Sequence, residues 1–326
     1  MPEREPAAWL WLKERLARLR QAGAVEDTAA PEMTAQPRVA VVTDSAAALP
    51  GAWSAAFVAD HRLIVVPMPV LIGDDIYGEA DAEVGDALAL ALASGVSVKT
   101  SRPSPGRLES AYRSLAERGY ESIVSIHLSS ALSGTVDAAK LAAERVEIPV
   151  LVLDTLSVGM AQGMAVQSAV IAAAAQEDAE SVLAFAQARL ESTSILFYVP
   201  SLEQLRRGGR IGAAASWLGT MLAIKPILKV ENGRVVPLER VRSAAKAVAR
   251  LEELVAQAAA VHPEQDLRFA VHHFGNQSEA EELAQRLALR FPQAPKAQIS
   301  ALPAVLAAHA GLGVIATVIG ESSIPH

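Results

Sequence analysis

Hydroxyl side chains crowd two short stretches of this chain. "KTSRPSPGRLESAYRSL" (residues 99–115) carries one Thr, four Ser and two Pro. "HLSSALSGT" (residues 127–135) sets Ser129, Ser130, Ser133 and Thr135 within seven residues. Thr43-Asp44-Ser45 and Asp154-Thr155 follow two further apolar runs. A hydroxyl in such a place can cap a helix, attack a substrate or hold an anion. Capping alone accounts for Ser104 and Ser133 taken singly. The cluster of Thr100, Ser101, Ser129, Ser130, Ser133 and Thr135 asks for more. Helix N-termini carry unpaired N–H groups and a partial positive charge, and hydroxyls beside them add directional donors. The guest that suits such a set is an anion with few oxygens, a carboxylate or a phosphate.

Nucleophilic chemistry is the competing use. A Ser-dependent hydrolase would pair Ser133 or Ser45 with a His, since a nucleophilic Ser needs a base and an orienting group. No G-x-S-x-G elbow is present. Neither a Walker loop nor a G-x-G-x-x-G after a strand occurs, so the chain shows no nucleotide-holding motif of its own. His272 and His273 are adjacent, and neighbours on a strand point to opposite faces, which argues against a shared metal. The chain has no Cys, which removes thiol nucleophiles, disulfides and Cys-based metal sites. A net charge of -7 leaves no overall basic footprint for nucleic acid.

The elements that must position these groups follow from periodicity. "RVAVVTD" (38–44), "ESIVSIHL" (121–128) and "IPVLVLD" (148–154) read as buried parallel strands. "LIVVPMPVLI" (63–72) is interrupted by Pro67 and Pro69. A helix ends at Gly95. The next has Ser104 at its cap and Pro105 at its first position, with Leu108, Ala111, Tyr112 and Leu115 as its buried stripe. "SGTVDAAKLAAERV" is another helix, and a long Ala-rich helix follows Asp154. From Thr193 the reading is a strand "SILFYVP", a short helix ending in a Gly pair, and a hairpin turning at Asn232-Gly233. A helix at 243–260, a strand "DLRFAVHHF", a helix with Ser278 and Glu281 at capping-box spacing, and late strands "KAQIS" and "GVIATVIG" complete it. Strands alternating with helices predict an α/β fold with a parallel sheet covered on both faces. Ligands of such sheets sit beyond the carboxyl ends of the strands, where the hydroxyls lie.

Residues 7–21 read as a basic amphipathic helix and 22–37 as a linker. The 326 residues suffice for about two domains at roughly 150 residues each, and 51% apolar content supplies a sizeable core. No apolar run approaches the ~20 residues of a membrane span. The N-terminal stretch mixes charges into its apolar residues, unlike a secretory signal, so the expected location is the cytoplasm.

With these residues in view, the chain resembles the DegV family. "VVTDSAAALP", "KTSRPSPGRLESAY", "IHLSSALSGTVDAAK", "LDTLSVGMAQG", "LEQLRRGGRIG", "IKPILKVENGRVVPLERVR" and "HAGLG" occur in the family's order over about residues 38–320. The resemblance implies a two-domain DegV-like α/β fold. Residues 1–37 would be an N-terminal helix and linker, 38–192 a parallel α/β domain with the hydroxyls, and 193–326 a mixed α/β domain, with the ligand between the two. It implies a bacterial protein that binds one long-chain fatty acid and needs no cofactor. Such a protein catalyses nothing alone. It serves as the fatty-acid-binding subunit of a fatty-acid kinase, whose separate ATP-dependent subunit makes an acyl phosphate for phospholipid synthesis. By the same resemblance Thr100 or Ser101 and Ser133 hold the carboxylate, with Ser129 and Ser130 as neighbours. Arg210 and His309 match the family's "GGRI" and late His motifs. The chain departs from the family at Arg102, where Gln is frequent, at Ala46, where Thr is frequent, and at Ala310 and Leu312 of the late motif. A binder of a small hydroxyketone or phosphorylated metabolite is the further rival.

The physics of a fatty acid fits that implication. A buried carboxylate without donors would cost several kcal/mol or become protonated. Ser101 and Ser133 can donate, Arg210 can balance charge and His309 can hydrogen-bond the head. About 14 methylenes at ~0.8 kcal/mol each give an upper estimate of roughly 11 kcal/mol for the tail. "SWLGTMLAIKPIL" and "LIVVPMPVLI" offer walls, and Met68, Met160, Met164 and Met221 adaptable contacts. The N-terminal basic helix suits transient membrane contact.

Overall fold

The computed structural model describes residues 38–51, 53, 61–78, 83–217 and 224–321. The predicted N-terminal helix and linker, together with Met221, lie outside them. The described residues all belong to one compact unit.

The first half is built on β1 (Val39–Asp44), β2 (Leu63–Val66), β3 (Val70–Ile72), β4 (Asp75–Tyr77), β5 (Val98–Thr100), β6 (Ser122–His127) and β7 (Val150–Asp154). β1 is buried at all six residues, which is why its first four, Val39 to Val42, read as an unbroken apolar run. It pairs in parallel with β2 and β6, and β6 with β7, in the order β2-β1-β6-β7. Pro67 and Pro69 stand between β2 and β3. β3 leaves the parallel sheet and centres a small antiparallel one, β4-β3-β5.

Helices α1 (Val84–Ser94), α2 (Pro105–Glu117), α3 (Thr135–Ala143), α4 (Met160–Ala174) and α5 (Ala179–Glu191) accompany these strands. α1 ends at Gly95, at φ 73. α2 starts as predicted, with the Ser104 hydroxyl accepting from the Arg107 N–H and Pro105 first in the helix. Leu108, Tyr112 and Leu115 pack with Ala40 and Val42 of β1.

Three local expectations are corrected. The single Ala-rich helix is two, because Gln176 adopts φ 67 and Asp178 caps α5 by accepting from the Ser181 N–H at 2.8 Å. Ser133 does not cap α3; Gly134 holds that position, and the Ser133 hydroxyl bonds the Thr135 hydroxyl at 2.8 Å. The Ser278–Glu281 capping box does not form, because the helix starts one residue before Ser278, with Asn276 at the cap.

The second half contains β8 (Ser194–Tyr198), α6 (Glu203–Arg207), β9 (Lys225–Glu231), β10 (Arg234–Val241), α7 (Ala244–Ala259), β11 (Leu267–His273), α8 (Gln277–Arg290), β12 (Gln298–Ala301), α9 (Ala304–Ala310) and β13 (Ile315–Glu321). Its sheet runs β10-β9-β8-β13-β11-β12, parallel only between β11 and β12. Asn232 and Gly233 both take positive φ, 49 and 76, as the tight β9–β10 turn requires. The fold is therefore α/β, a helix-flanked parallel sheet with a second, mixed sheet. No described helix is long and apolar enough to cross a membrane.

Side-chain alternation divides the second sheet's apolar residues between two cores. Leu196, Tyr198, Ile315 and Ile319 pack with the stripes of α7 and α8, from Leu251 to Leu283. Ile195, Phe197, Ala316 and Val318 face the other way and join Met68, Leu128, Met160 and Met164 from the first half in one core. α4 touches β1, β6 and β13 and so links the two sheets.

Candidate ligand-binding cavity

That inward face of the second sheet is not completely filled. A cavity with about 910 Å³ of empty space, counting the part open to solvent, lies against it. Ile195, Phe197, Val230, Val235, Ala316 and Val318 form one wall. Met68, Leu128 and Val158 of the first half, with Leu302, Val305 and Leu306 around α9, close it.

The polar lining is Thr100, Ser101, Arg102, Ser133, Arg210, His272 and His309. All but His272 are tied together through three loops and one helix end. Thr100, the last residue of β5, places Oγ1 2.8 Å from Nε2 of His309 in the last turn of α9. Arg210 follows the Gly pair after α6. Its Nε donates to the Leu132 carbonyl at 2.9 Å and its Nη1 to the Gly208 carbonyl at 2.5 Å. Arg102 reaches from the loop after β5 and donates through Nη1 to the Gly134 carbonyl at 3.2 Å. Ser133 therefore stands between two carbonyls that guanidinium groups hold. Ser101 and Arg102 are exposed, so this polar part of the cavity reaches solvent.

The two glycines after α6 answer different demands. Gly209 sits at φ 71 with open space around it, so its backbone is what requires glycine. Gly208 has an ordinary helical backbone, but a Cβ there would run into the His309 ring. Burial, with the positive charge of Arg210 adding, pushes His309 down to about 4. The ring is thus neutral near pH 7, with one nitrogen to donate and one to accept.

Ser129 and Ser130 are not brought to the cavity lining. Ser129 is buried, donating to the Gly233 carbonyl at 2.8 Å and accepting from the Ala131 N–H, so it fastens the β9–β10 turn to the loop after β6. Ser130 is exposed, and its N–H donates to Asp154 Oδ1. Thr43 and Asp44 are likewise consumed internally. Thr43 donates to the Ile126 carbonyl at 2.7 Å, and both accept from Gln162 Nε2.

His272 was read from sequence only as a weak metal candidate. It is fully buried and lies on the cavity lining. Its Nε2 accepts the Met160 N–H at 3.1 Å, at the start of α4. Nδ1 must then carry the proton, and it donates to Ser300 Oγ at 3.0 Å. Burial pushes this histidine down to about 4 as well. The missed signal was a His pair on an otherwise apolar strand, which puts one ring into the core.

A Ser–His–Asp chain does exist elsewhere. Asp44 Oδ2 lies 2.8 Å from His127 Nδ1, and His127 Nε2 lies 2.8 Å from Ser125 Oγ. All three residues are fully buried, and the Tyr112 hydroxyl occupies Ser125 at 2.8 Å. No substrate reaches that serine. Ser45 accepts from the Met68 N–H and Ser133 bonds Thr135, so neither serine of the hydrolase reading has a hydrogen bond to a His. Among the described residues no cluster of three or more His, Asp or Glu could hold a metal ion.

Fold and cavity together define an α/β protein with a largely apolar internal site whose polar end opens to solvent. The chain belongs to the DegV family: residues 38–321 match the family model described as "Uncharacterised protein, DegV family". It is 43% identical over 283 residues to a DegV domain-containing protein of Streptomyces coelicolor, covering 87% of this chain and 98% of that one. Among solved structures it resembles a fatty-acid-binding DegV family protein from Thermus thermophilus, with TM-score 0.80, 30% identity, and 87% and 99% of the two chains covered. DegV of Bacillus subtilis, a fatty acid binding protein, superposes with TM-score 0.76 at 28% identity, over 87% of this chain and 99% of that one.

Proposed function

We propose that the cavity holds one long-chain fatty acid, lying between the part of the chain built on the first sheet and the part built on the second. The observation that carries this is the division of the lining: an apolar wall from β8, β9, β10 and β13, against a polar end of hydroxyls, two guanidiniums and the neutral His309 imidazole. In this reading Thr100 and Ser133 donate to the carboxylate, Ser101 joins them by giving up its bond to the Arg102 carbonyl, Arg210 balances the charge and His309 orients Thr100. The fatty acids of the Thermus and Bacillus relatives support the choice of ligand.

The chain then acts as a carrier without catalysis of its own, in the cytoplasm, and presents the head group to a separate ATP-dependent kinase subunit. Exposure of Ser101 and Arg102 at the polar end is compatible with a partner reaching the carboxylate there. Native mass spectrometry of protein purified from bacterial cells tests the binding. Co-purified palmitate, stearate or oleate is expected, and a water-soluble metabolite in its place would overturn it. Trapping of acyl phosphate with hydroxylamine, with ATP and a candidate kinase subunit added, tests the presentation; no product with any kinase subunit of the source cell counts against it.

A further inference from the structure

The polar end of the cavity carries more positive charge than a carboxylate needs. Arg102 and Arg210 both line it, and neither has a carboxylate partner among the described residues. Arg210 spends Nε and Nη1 on the Leu132 and Gly208 carbonyls. Arg102 spends a single Nη1 hydrogen bond on the Gly134 carbonyl. A guanidinium has five N–H donors, so most of those on Arg102 stay available. The two cations flank the same short loop, with Ser133 between the carbonyls they hold. A lone carboxylate neutralises one of them.

Resting on the fatty-acid reading above, we propose that Arg102 is a head-group specificity residue, giving this site a preference for amphiphiles whose head carries two negative charges, a phosphate monoester, over singly charged heads of similar size. The planar fork of Arg102 matches a phosphate bidentately. The hydroxyls of Thr100 and Ser133, whose partners His309 and Thr135 can each act as the donor, remain available to the third oxygen, whereas Ser101 donates to the Arg102 carbonyl at 3.2 Å. Arg102 lies over Gly134, bonded to its carbonyl, and a Cβ there would meet the guanidinium and push that movable end aside, although the φ of -79 accepts any residue. A substitution at Gly134 therefore moves the guanidinium without altering its charge.

The test is competition against a fluorescent fatty acid by palmitate, hexadecyl sulfate and hexadecyl phosphate at about pH 8, where a phosphate monoester with second pKa near 6 is dianionic. The sulfate matches the phosphate in shape and oxygen count but carries one charge. Hexadecyl phosphate is expected to bind the native protein about tenfold tighter than hexadecyl sulfate, the equivalent of about 1.4 kcal/mol. R102Q is expected to bring the two to within about threefold, and R102K to keep only part of the preference, because a point charge replaces the fork. G134A, which displaces the guanidinium and keeps its charge, is expected to resemble R102K. Equal binding of the two probes by native protein, or a preference that survives in R102Q, overturns the role of Arg102 while palmitate competition upholds the fatty-acid reading. Failure of all three amphiphiles to compete overturns both.

Discussion

Residues at the polar end divide into donors and the groups that aim them. Thr100 and Ser133 each offer one hydroxyl, and a hydrogen bond to a charged group is worth about 1.5–3 kcal/mol. S133A is therefore expected to weaken palmitate binding roughly ten- to a hundredfold by isothermal titration, with the folded structure unchanged; unchanged affinity would remove Ser133 from the head-group site. G208A is the sharper probe of His309, because the new methyl occupies the place of the ring. Its expected outcome is weaker binding of similar size to loss of Thr100, in a protein with native circular dichroism. This level was partly legible in the sequence. Hydroxyl type and position pointed to Thr100, Ser101 and Ser133, whereas Arg210 and His309 entered only through family resemblance. Ser129 and Ser130 looked equivalent to Ser133 because local sequence does not tell which hydroxyls a neighbouring strand will consume, and Ser129 is consumed by Gly233, 104 residues away.

Elements owe their positions to a few buried polar bonds. α4 is apolar nearly all round because it lies between the two sheets, and its first N–H is accepted by His272 from β11. That bond requires an unprotonated Nε2. His272 and His309 both titrate near 4 in the folded chain, against about 6.5 when unfolded. Above pH ~6.5 neither state binds the extra protons, and the stability is intact. As pH falls from there toward 4 the unfolded chain takes them up first, and stability declines by up to a few kcal/mol for the two together. Urea midpoints are expected to drop between about pH 7 and about pH 5, and less steeply in H272Q. A flat profile in the native protein would contradict the buried neutral state. Most elements were legible from apolar period and from the Gly and Pro that bound them. The break between α4 and α5 was not, since nothing in an Ala-rich run announces that Gln176 adopts a left-handed backbone. His272 was missed for a similar reason: its partners, Met160 and Ser300, lie 112 and 28 residues away.

At the scale of the molecule, what matters is that two sheets meet imperfectly. Strand alternation dictates that Phe197, Ala316 and Val318 share a face, but only the packing of the two halves decides that this face is left partly uncovered. The cavity was for that reason invisible in the sequence, and so were most of its walls: of the described residues in the two stretches expected to form them, 63–72 and 216–228, Met68 alone lines it. Space beside Ala316 is the consequence. A316F is expected to fill it, with most fatty-acid binding lost and thermal unfolding little changed, because the larger ring enters a void rather than a packed core. A large fall in stability with binding retained would mean that the void is not the ligand's place. The most direct test is the crystal structure of the chain with palmitate. The account predicts the carboxylate within hydrogen-bond distance of Ser133 or Thr100, beside Arg210, and the tail along Phe197 and Val318. A ligand lying reversed, bound elsewhere, or absent from a cavity closed by side chains would contradict it.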